Sequence, residues 1–255
     1  GNDTLKGRNA GETGDFNSVD YSAGTTALTV NLGVTNSSGT VTSSEFGTDT
    51  LQYIDKVYGG SGDDVFTKGA FHQGNYGSFV EFEGMAGNDI LTDGSRIGYA
   101  RSPTGVTVNL ETGIALDGFG GTDTISGFYQ IRGSAFDDVL TGSNGTDFER
   151  FRALAGSDVI DGGGGTSDEV DYLNSSTGVS VNLSTGLAWD GMGGTDTLTN
   201  IEDIRASNHA DILIGDAADN KIRGLDGADF IDGGAGTDTA DFNQVSGPNA
   251  SSPEG

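Results

Sequence analysis

The sequence predicts an all-β fold of solenoid type, and three observations carry that prediction. First, the chain holds 45 Gly and 3 Pro in 255 residues, with 33% hydrophobic side chains. So few apolar groups suit a thin interior, one narrow row of side chains, better than a conventional core. Second, the sequence repeats at two nested lengths, which separates it from aperiodic disorder. Third, no segment shows the helical 3.6-residue periodicity, whereas short alternating runs such as 105–110 and 178–183 read as strands.

The long repeat is visible in two motifs. Val30-Asn31-Leu32 recurs at Val108-Asn109-Leu110 and Val181-Asn182-Leu183, and Gly47-Thr48-Asp49-Thr50 recurs at 121–124 and 194–197. Unit starts fall at Val19-Asp20-Tyr21, Ile97-Gly98-Tyr99 and Val170-Asp171-Tyr172. The expected organisation is therefore a first unit over 1–96, with a remnant of a preceding unit at its start and an insertion at 68–83. A second unit covers 97–169, a third 170–242, and 243–255 reads as a linker or cut end.

Within each unit runs a nine-residue register, cleanest as four consecutive nonamers over 206–241 and present at 59–67, 84–92, 133–141 and 153–161. The Thr-Asp-Thr segments at 118–126 and 191–199 fit the same frame. These two segments, and the one that carries Thr48-Asp49-Thr50, are each followed by six residues (53–58, 127–132, 200–205) that read as longer rungs without a metal turn. The first six positions of a nonamer need a sharply turning backbone, which Gly supplies because φ > 0 costs it nothing. The last three form a short strand whose middle residue (Phe66, Leu91, Leu140, Ile160, Leu213, Ile222, Ile231) points inward. The Val-Asn-Leu segments predict a strand pair or wider rung packed against the roll.

These nonamers resemble the repeats-in-toxin (RTX) family of hemolysin-type calcium-binding nonapeptides, Gly-Gly-x-Gly-x-Asp-x-U-x, where U is a large aliphatic residue. The resemblance covers most of 44–67, 84–92, 118–170 and 191–241, and about ten nonamers in register make it specific. It implies a right-handed parallel β-roll (β-solenoid) with glycine-rich turns that bind several Ca²⁺ ions. It also implies export by bacterial type I secretion, and folding outside the cell where calcium is plentiful. The ligands it implies are carbonyls or carboxylates at Asp49, Gly60, Gly62, Asp64, Gly87, Asp89, Gly121, Asp123, Asp138, Gly156, Asp158, Gly163, Gly165, Asp168, Gly194 and Asp196. In the last four nonamers they are Asp211, Asp219, Asn220, Gly227, Asp229, Gly234, Gly236 and Asp238. With two nonamers to a coil, as in the family, Asp211 stacks on Asp229 and Asn220 on Asp238. Departures from the pattern are Phe136 and His209 in place of the fourth-position Gly, Asn220 in place of Asp, an extra residue in the turn before Asp168, and interruptions at 68–83 and 142–152.

Charge supports a cation-binding role. Asp plus Glu total 38 against 12 Lys plus Arg, a net charge of −26. Phosphate would be repelled, so nucleic acid is not an expected partner. Self-repulsion opposes compaction until cations neutralise it, and Ca²⁺ takes six to eight oxygen ligands, which carbonyl turns and carboxylates provide. Cysteine is absent, which removes disulfides and thiolate metal sites. No apolar run approaches a membrane span.

Catalysis is not expected. His72 and His209 lie in unrelated contexts without a nucleophile motif. The pairs Asp63/Asp64 and Asp137/Asp138 could pose as glycosidase acid and base, but metal-turn chemistry already explains the second acid of each. Trp189, the single Trp, could stack on sugar, yet it aligns with Leu116 and so reads first as a packing residue. The function expected is a structural calcium-binding segment of a large secreted protein of adhesin, fibre or surface-layer type. The alternative is an accessory or carbohydrate-binding module of a secreted polysaccharide-active enzyme. Self-association and extracellular polysaccharide are the partners left open.

Overall fold

The computed structural model describes residues 1–7, 16–35, 38–69 and 79–242. His72 and most of the 68–83 interruption lie outside them. The described residues are all-β, with 26 short strands, and they form two compact units. One comprises Gly1–Tyr99 and Gly113–Phe128, the other Ala100–Thr112 and 129–242.

Each unit is a coil that visits two sheets in turn. In the second unit the nonamers place Ile212–Ile214 in the first sheet, Lys221–Arg223 in the second, Phe230–Asp232 in the first and Thr239–Ala240 in the second. Rungs pair in parallel, Ile212 on Phe230 and Lys221 on Thr239, so two nonamers complete one coil. The six-residue spacers after Thr-Asp-Thr, expected as longer rungs, supply strands of the second sheet: Lys56–Tyr58, Gln130–Arg132 and Asp203–Arg205. The interruption at 142–152 also keeps the frame, since Arg150–Arg152 pairs with Gln130–Arg132 on one side and Glu169–Asp171 on the other. The longer turn is absorbed outside the ladder, which is why the nonamer pattern fails there while the strand survives.

The interior is two facing rows, where the sequence suggested one. The inward residue of every central strand is sequestered. In the first sheet these are Phe66, Leu91, Leu140, Ile160 and Leu213; in the second, Val57, Phe82, Ile97, Ile131, Phe151, Val170 and Ile204. Phe66 meets Phe82 edge-on with ring centroids 5.4 Å apart, which shows one row packing on the other. Among the nonamer residues, Ile222 belongs to the second row and Ile231 to the first, because consecutive nonamers alternate sheets.

The Val-Asn-Leu segments form antiparallel hairpins inserted into the otherwise parallel first sheet. Thr29–Thr35 pairs with Ser38–Ser43, which pairs with Gly47–Gln52. Ser180–Asn182, Leu187–Trp189 and Thr195–Thr199 repeat the arrangement. Of the two options left open by the sequence, strand pair or wider rung, the strand pair is the one observed.

The outer faces of the two sheets differ. On the first, Val65, Ile90, Val139, Val159, Ile212 and Phe230 are exposed. On the second, charged residues are buried in ion-pair ladders. Lys56 reaches Glu81 and Glu83 at 2.6 and 3.0 Å, and Arg96 Nε donates to Glu81 at 2.8 Å. Arg150 pairs with Glu169 at 2.5 Å, Arg152 with Asp171 at 2.6 Å, and Arg223 with Glu169 at 2.8 Å. Much of the scarce positive charge is thereby held on carboxylates of the second sheet's strands, not on those of the turns.

Candidate metal sites

Every turn ends on the residue that precedes a strand, and there the aspartates line up. The amide of that residue falls just outside the strand ladder and needs an acceptor. The acidic side chain one rung further on supplies it. In the first unit, Leu28 N donates to Asp64 Oδ1 (2.7 Å), Asp64 N to Asp89 Oδ1 (2.8 Å) and Asp89 N to Asp123 Oδ1 (3.1 Å). Asp3 N donates to Asp49 Oδ1 at 2.9 Å. In the second unit the series is Val106 to Asp138 to Asp158 to Asp196, then Val179 to Asp211 to Asp229. A second column runs beside the second sheet. Glu149 N donates to Asp168 Oδ1, Asp168 N to Glu202 Oε2, and Asn220 N to Asp238 Oδ1. Stacked acids are thus brought together as the spacing predicts, including Asp211 with Asp229 and Asn220 with Asp238. Glu149 and Glu202, which join the second column, escaped the nonamer pattern because their turns are longer or lack the glycines.

The glycines explain themselves by contact. A Cβ on Gly59, Gly84, Gly133, Gly224 or Gly233, the first position of its nonamer, would collide with the carboxylate of that nonamer's own sixth residue. Further round the turn, Gly62, Gly156, Gly163, Gly227, Gly234 and Gly236 each lie against the backbone of a neighbouring turn. Gly87 and Gly156 also have φ of 131° and 133°, which only Gly adopts without strain. Gly60 N donates to Asp64 Oδ2 at 2.9 Å, while Gly165 lies beside the Asp168 carboxylate.

Burial makes these carboxylates costly as anions. Loss of hydration pushes Asp89 up to about 8, and Asp123 and Asp64 add like charge to it. Burial likewise raises Asp123 to about 7, Asp168 to about 7, and Asp64 and Asp138 to about 6, and it raises Asp158, Asp196 and Asp211. Asp89 and Asp158, each 1% exposed, carry a buried Oδ2 with no hydrogen-bond partner. An unsatisfied buried carboxylate oxygen beside a glycine turn fits a hard cation. Among the described residues no three His, Cys, Asp or Glu side chains converge on one point, so Gly carbonyls would have to complete the shell.

A family model described as the RTX calcium-binding nonapeptide repeat matches in four copies, at residues 47–69, 130–148, 149–166 and 205–240. This chain carries RTX calcium-binding repeats. No curated protein matches it. The all-β architecture of parallel-dominated sheets is that of a β-roll, and calcium is the ion its RTX turns bind.

The RTX turns are not alike. Where the fourth-position Gly is replaced, as at Phe136 and His209, a second-position serine takes over. Ser134 Oγ and Ser207 Oγ donate to Asp138 Oδ1 and Asp211 Oδ1, both at 2.7 Å, and their amides donate to the Oδ2 atoms. At Asn220 the carboxamide does the work of a cation, with Nδ2 donating to the Glu202 carbonyl at 2.9 Å and to Asp216 Oδ1 at 3.2 Å. Asp219, grouped with the ligands by sequence, is exposed and belongs to a different ladder at the fifth position. There Thr237 N donates to Asp219, Ser157 N to Asp137 and Asn88 N to Asp63. The fifth-position acids of the two pairs that resembled a glycosidase dyad are therefore backbone acceptors.

Asp49, Asp123 and Asp196 of the Thr-Asp-Thr motif have both oxygens engaged. Their Oδ2 atoms accept from Tyr21, Tyr99 and Tyr172 at 3.0, 3.0 and 2.8 Å. The unit starts and the Thr-Asp-Thr motifs therefore meet in space, which their distance in sequence conceals. Trp189 does not pack: it is 47% exposed on the outer face, as is its counterpart Leu116 at 49%. The Leu-to-Trp exchange pointed to a buried slot, but both sit on hairpin strands whose outer positions face solvent.

Proposed function

We propose that this chain is a calcium-stapled structural β-roll segment of a large extracellular bacterial protein of adhesin, fibre or surface-layer type. In this reading it leaves the cell by type I secretion and folds on meeting Ca²⁺ outside. The observation that carries it is the stacking of buried carboxylates within each unit, at the ends of glycine turns, with Asp64, Asp89, Asp123, Asp138, Asp158, Asp168, Asp196 and Asp211 raised by burial. A chain so built is frustrated without cations and complete with them, so binding and folding are coupled. Nothing in the turns calls for chemistry on a substrate: His209 is exposed and the paired acids serve the ladders. We therefore assign no enzymatic role.

Circular dichroism during a calcium titration tests this. A coil-like spectrum in chelator should give way cooperatively to β signal with Ca²⁺. Mg²⁺, which demands a tighter octahedral shell, should not reproduce it. A chain that keeps its full β spectrum after exhaustive chelation contradicts the proposal.

One observation favours a second reading, a module that binds extracellular polysaccharide. Trp189, Ile212 and Phe230 are exposed on one face of the first sheet, linked through the register Trp189–Ser180–Ile212–Phe230. A glycan array run with calcium and with chelator separates the readings, since specific calcium-dependent binding supports the second.

A further inference from the structure

In a chain of net charge −26, the outer face of the first sheet in the second unit is apolar. Seven strands form it, in the spatial order Val139–Thr141, Val159–Asp161, Thr195–Thr199, Leu187–Trp189, Ser180–Asn182, Ile212–Ile214 and Phe230–Asp232. None of them carries Lys or Arg, and Asp161 and Asp232 are the only acids that alternate to the outside. Val139, Val159, Leu187, Trp189, Ile212 and Phe230 point outward and are 41–56% exposed. A stripe of large apolar side chains on so acidic a molecule marks an interaction surface.

The stripe reads alike from both ends. Val139 pairs with Val159, and Val159 with Thr197. From the other end Phe230 pairs with Ile212, and Ile212 with Ser180. Both runs stop at the middle strand of the seven, where Leu187 adjoins Thr197 and Trp189 adjoins Ser180. The hairpin strand is thus flanked on either side by a hydroxyl and then two large apolar residues. One offset separates the halves, because Leu187 and Trp189 are two residues apart along their strand. Two residues span about 6.6 Å, while Val159 and Ile212 lie four strands, about 19 Å, apart. A two-fold axis that exchanges them is therefore tilted about 19° from the strands. For Val139 and Phe230, six strands apart, the tilt is about 13°. Two copies related by such an axis cross their strands at about 30°, the angle at which β-sheets ordinarily pack face to face.

We propose that this face docks a second copy of the same chain, about a two-fold axis that runs over Leu187–Trp189. Val139 and Val159 of one copy then lie over Phe230 and Ile212 of the other. The hydroxyls of Thr197 and Ser180 meet, and Leu187 and Trp189 meet their own counterparts on the axis. A two-fold interface requires such a self-complementary order. A polysaccharide has a direction and gains nothing from it, so the surface fits a second copy better than a glycan. In the first unit, Val65 and Ile90 on paired strands and Ile114 and Leu116 on a hairpin strand are also exposed, which repeats half of the pattern. The inference rests on the arrangement of the strands and adds a partner to the structural role proposed above.

Sedimentation equilibrium of the whole chain in calcium tests this. The wild type should pass from monomer to dimer as its concentration rises through the micromolar range, since so narrow a face lies at the small end of specific interfaces. Emission from Trp189, the single Trp, should move to shorter wavelength over the same range. Val159→Glu and Ile212→Lys each set a charge against an apolar residue of the other copy, and each should weaken association about tenfold or more. Because Val159 and Ile212 face each other across the axis, an equimolar mixture of the two variants should restore the dimer. Both positions are exposed, and circular dichroism in calcium checks that each variant keeps the wild-type fold. A wild type that stays monomeric throughout would overturn the proposal. So would variants that dimerise as the wild type does, or a mixture no more dimeric than its components. A monomer whose Trp189 emission responds to a neutral polysaccharide would overturn it in favour of the glycan reading.

Discussion

Protons should substitute for calcium in folding this chain. In chelator, Asp89 titrates in the fold near 8, and Asp123 and Asp168 near 7, against 3.8 in the coil. Because the folded values are raised, the fold holds more protons than the coil between those limits. Its stability is therefore fully present below about 3.8 and is lost progressively as pH rises from there to about 8. Around pH 6 these three groups are protonated in the fold and ionised in the coil. At about 1.4 kcal/mol per proton per pH unit, these three together contribute up to about 4 kcal/mol per pH unit to the slope. Asp171 acts oppositely: burial would raise it, but the Arg152, Arg205 and Arg150 guanidiniums hold it well below its ordinary value. Its contribution is present above 3.8 and is lost as pH falls further. The calcium-free fold should thus be best formed at about pH 4 to 5. Circular dichroism in chelator from pH 8 downward reads this directly, as a gain of β signal on acidification. Asp89→Asn should reduce the slope by about 1.4 kcal/mol per pH unit, whereas the exposed Asp63→Asn, with the same change in net charge, should leave it alone. A chelated chain no more ordered at pH 5 than at pH 8, or identical slopes in the two variants, would refute the reasoning.

Other perturbations have defined outcomes. Tyr172→Phe removes the hydroxyl that donates to Asp196 Oδ2 at 2.8 Å and should destabilise the calcium-bound fold by about 1–3 kcal/mol, measured by denaturant unfolding. Phe151→Ala empties a fully buried slot in the second row and should cost about 3–5 kcal/mol in the same assay. Gly162→Ala places a methyl on the Asn200 carbonyl and beside the Asp168 carboxylate. It should raise the calcium concentration at the folding midpoint, while Gly120→Ala, with open space around it but φ of 108°, should act through backbone strain alone and shift the midpoint less.

Much of the molecule is legible in the sequence. Stacked glycines and aspartates at nine-residue spacing require turns that repeat on top of one another, because a glycine that must clear its neighbour's backbone and an acid that must meet its neighbour's amide recur only if the turns superpose. That fixed the solenoid, the alternation of strands and the acid columns through Asp64, Asp138, Asp158 and Asp229. The interruption at 142–152 hides a strand from the nonamer pattern, because strand pairing tolerates extra turn residues that the pattern does not.

Other features depend on which distant groups the coil brings together. Tyr172 and Asp196 are unrelated in sequence and bonded in space, so only the structure shows that this acid is occupied. Composition and period determined that the chain coils, since those are properties of a repeat. Which oxygens remain for an ion was decided by tertiary packing, because a carboxylate's availability depends on every donor within reach, and those donors come from other rungs.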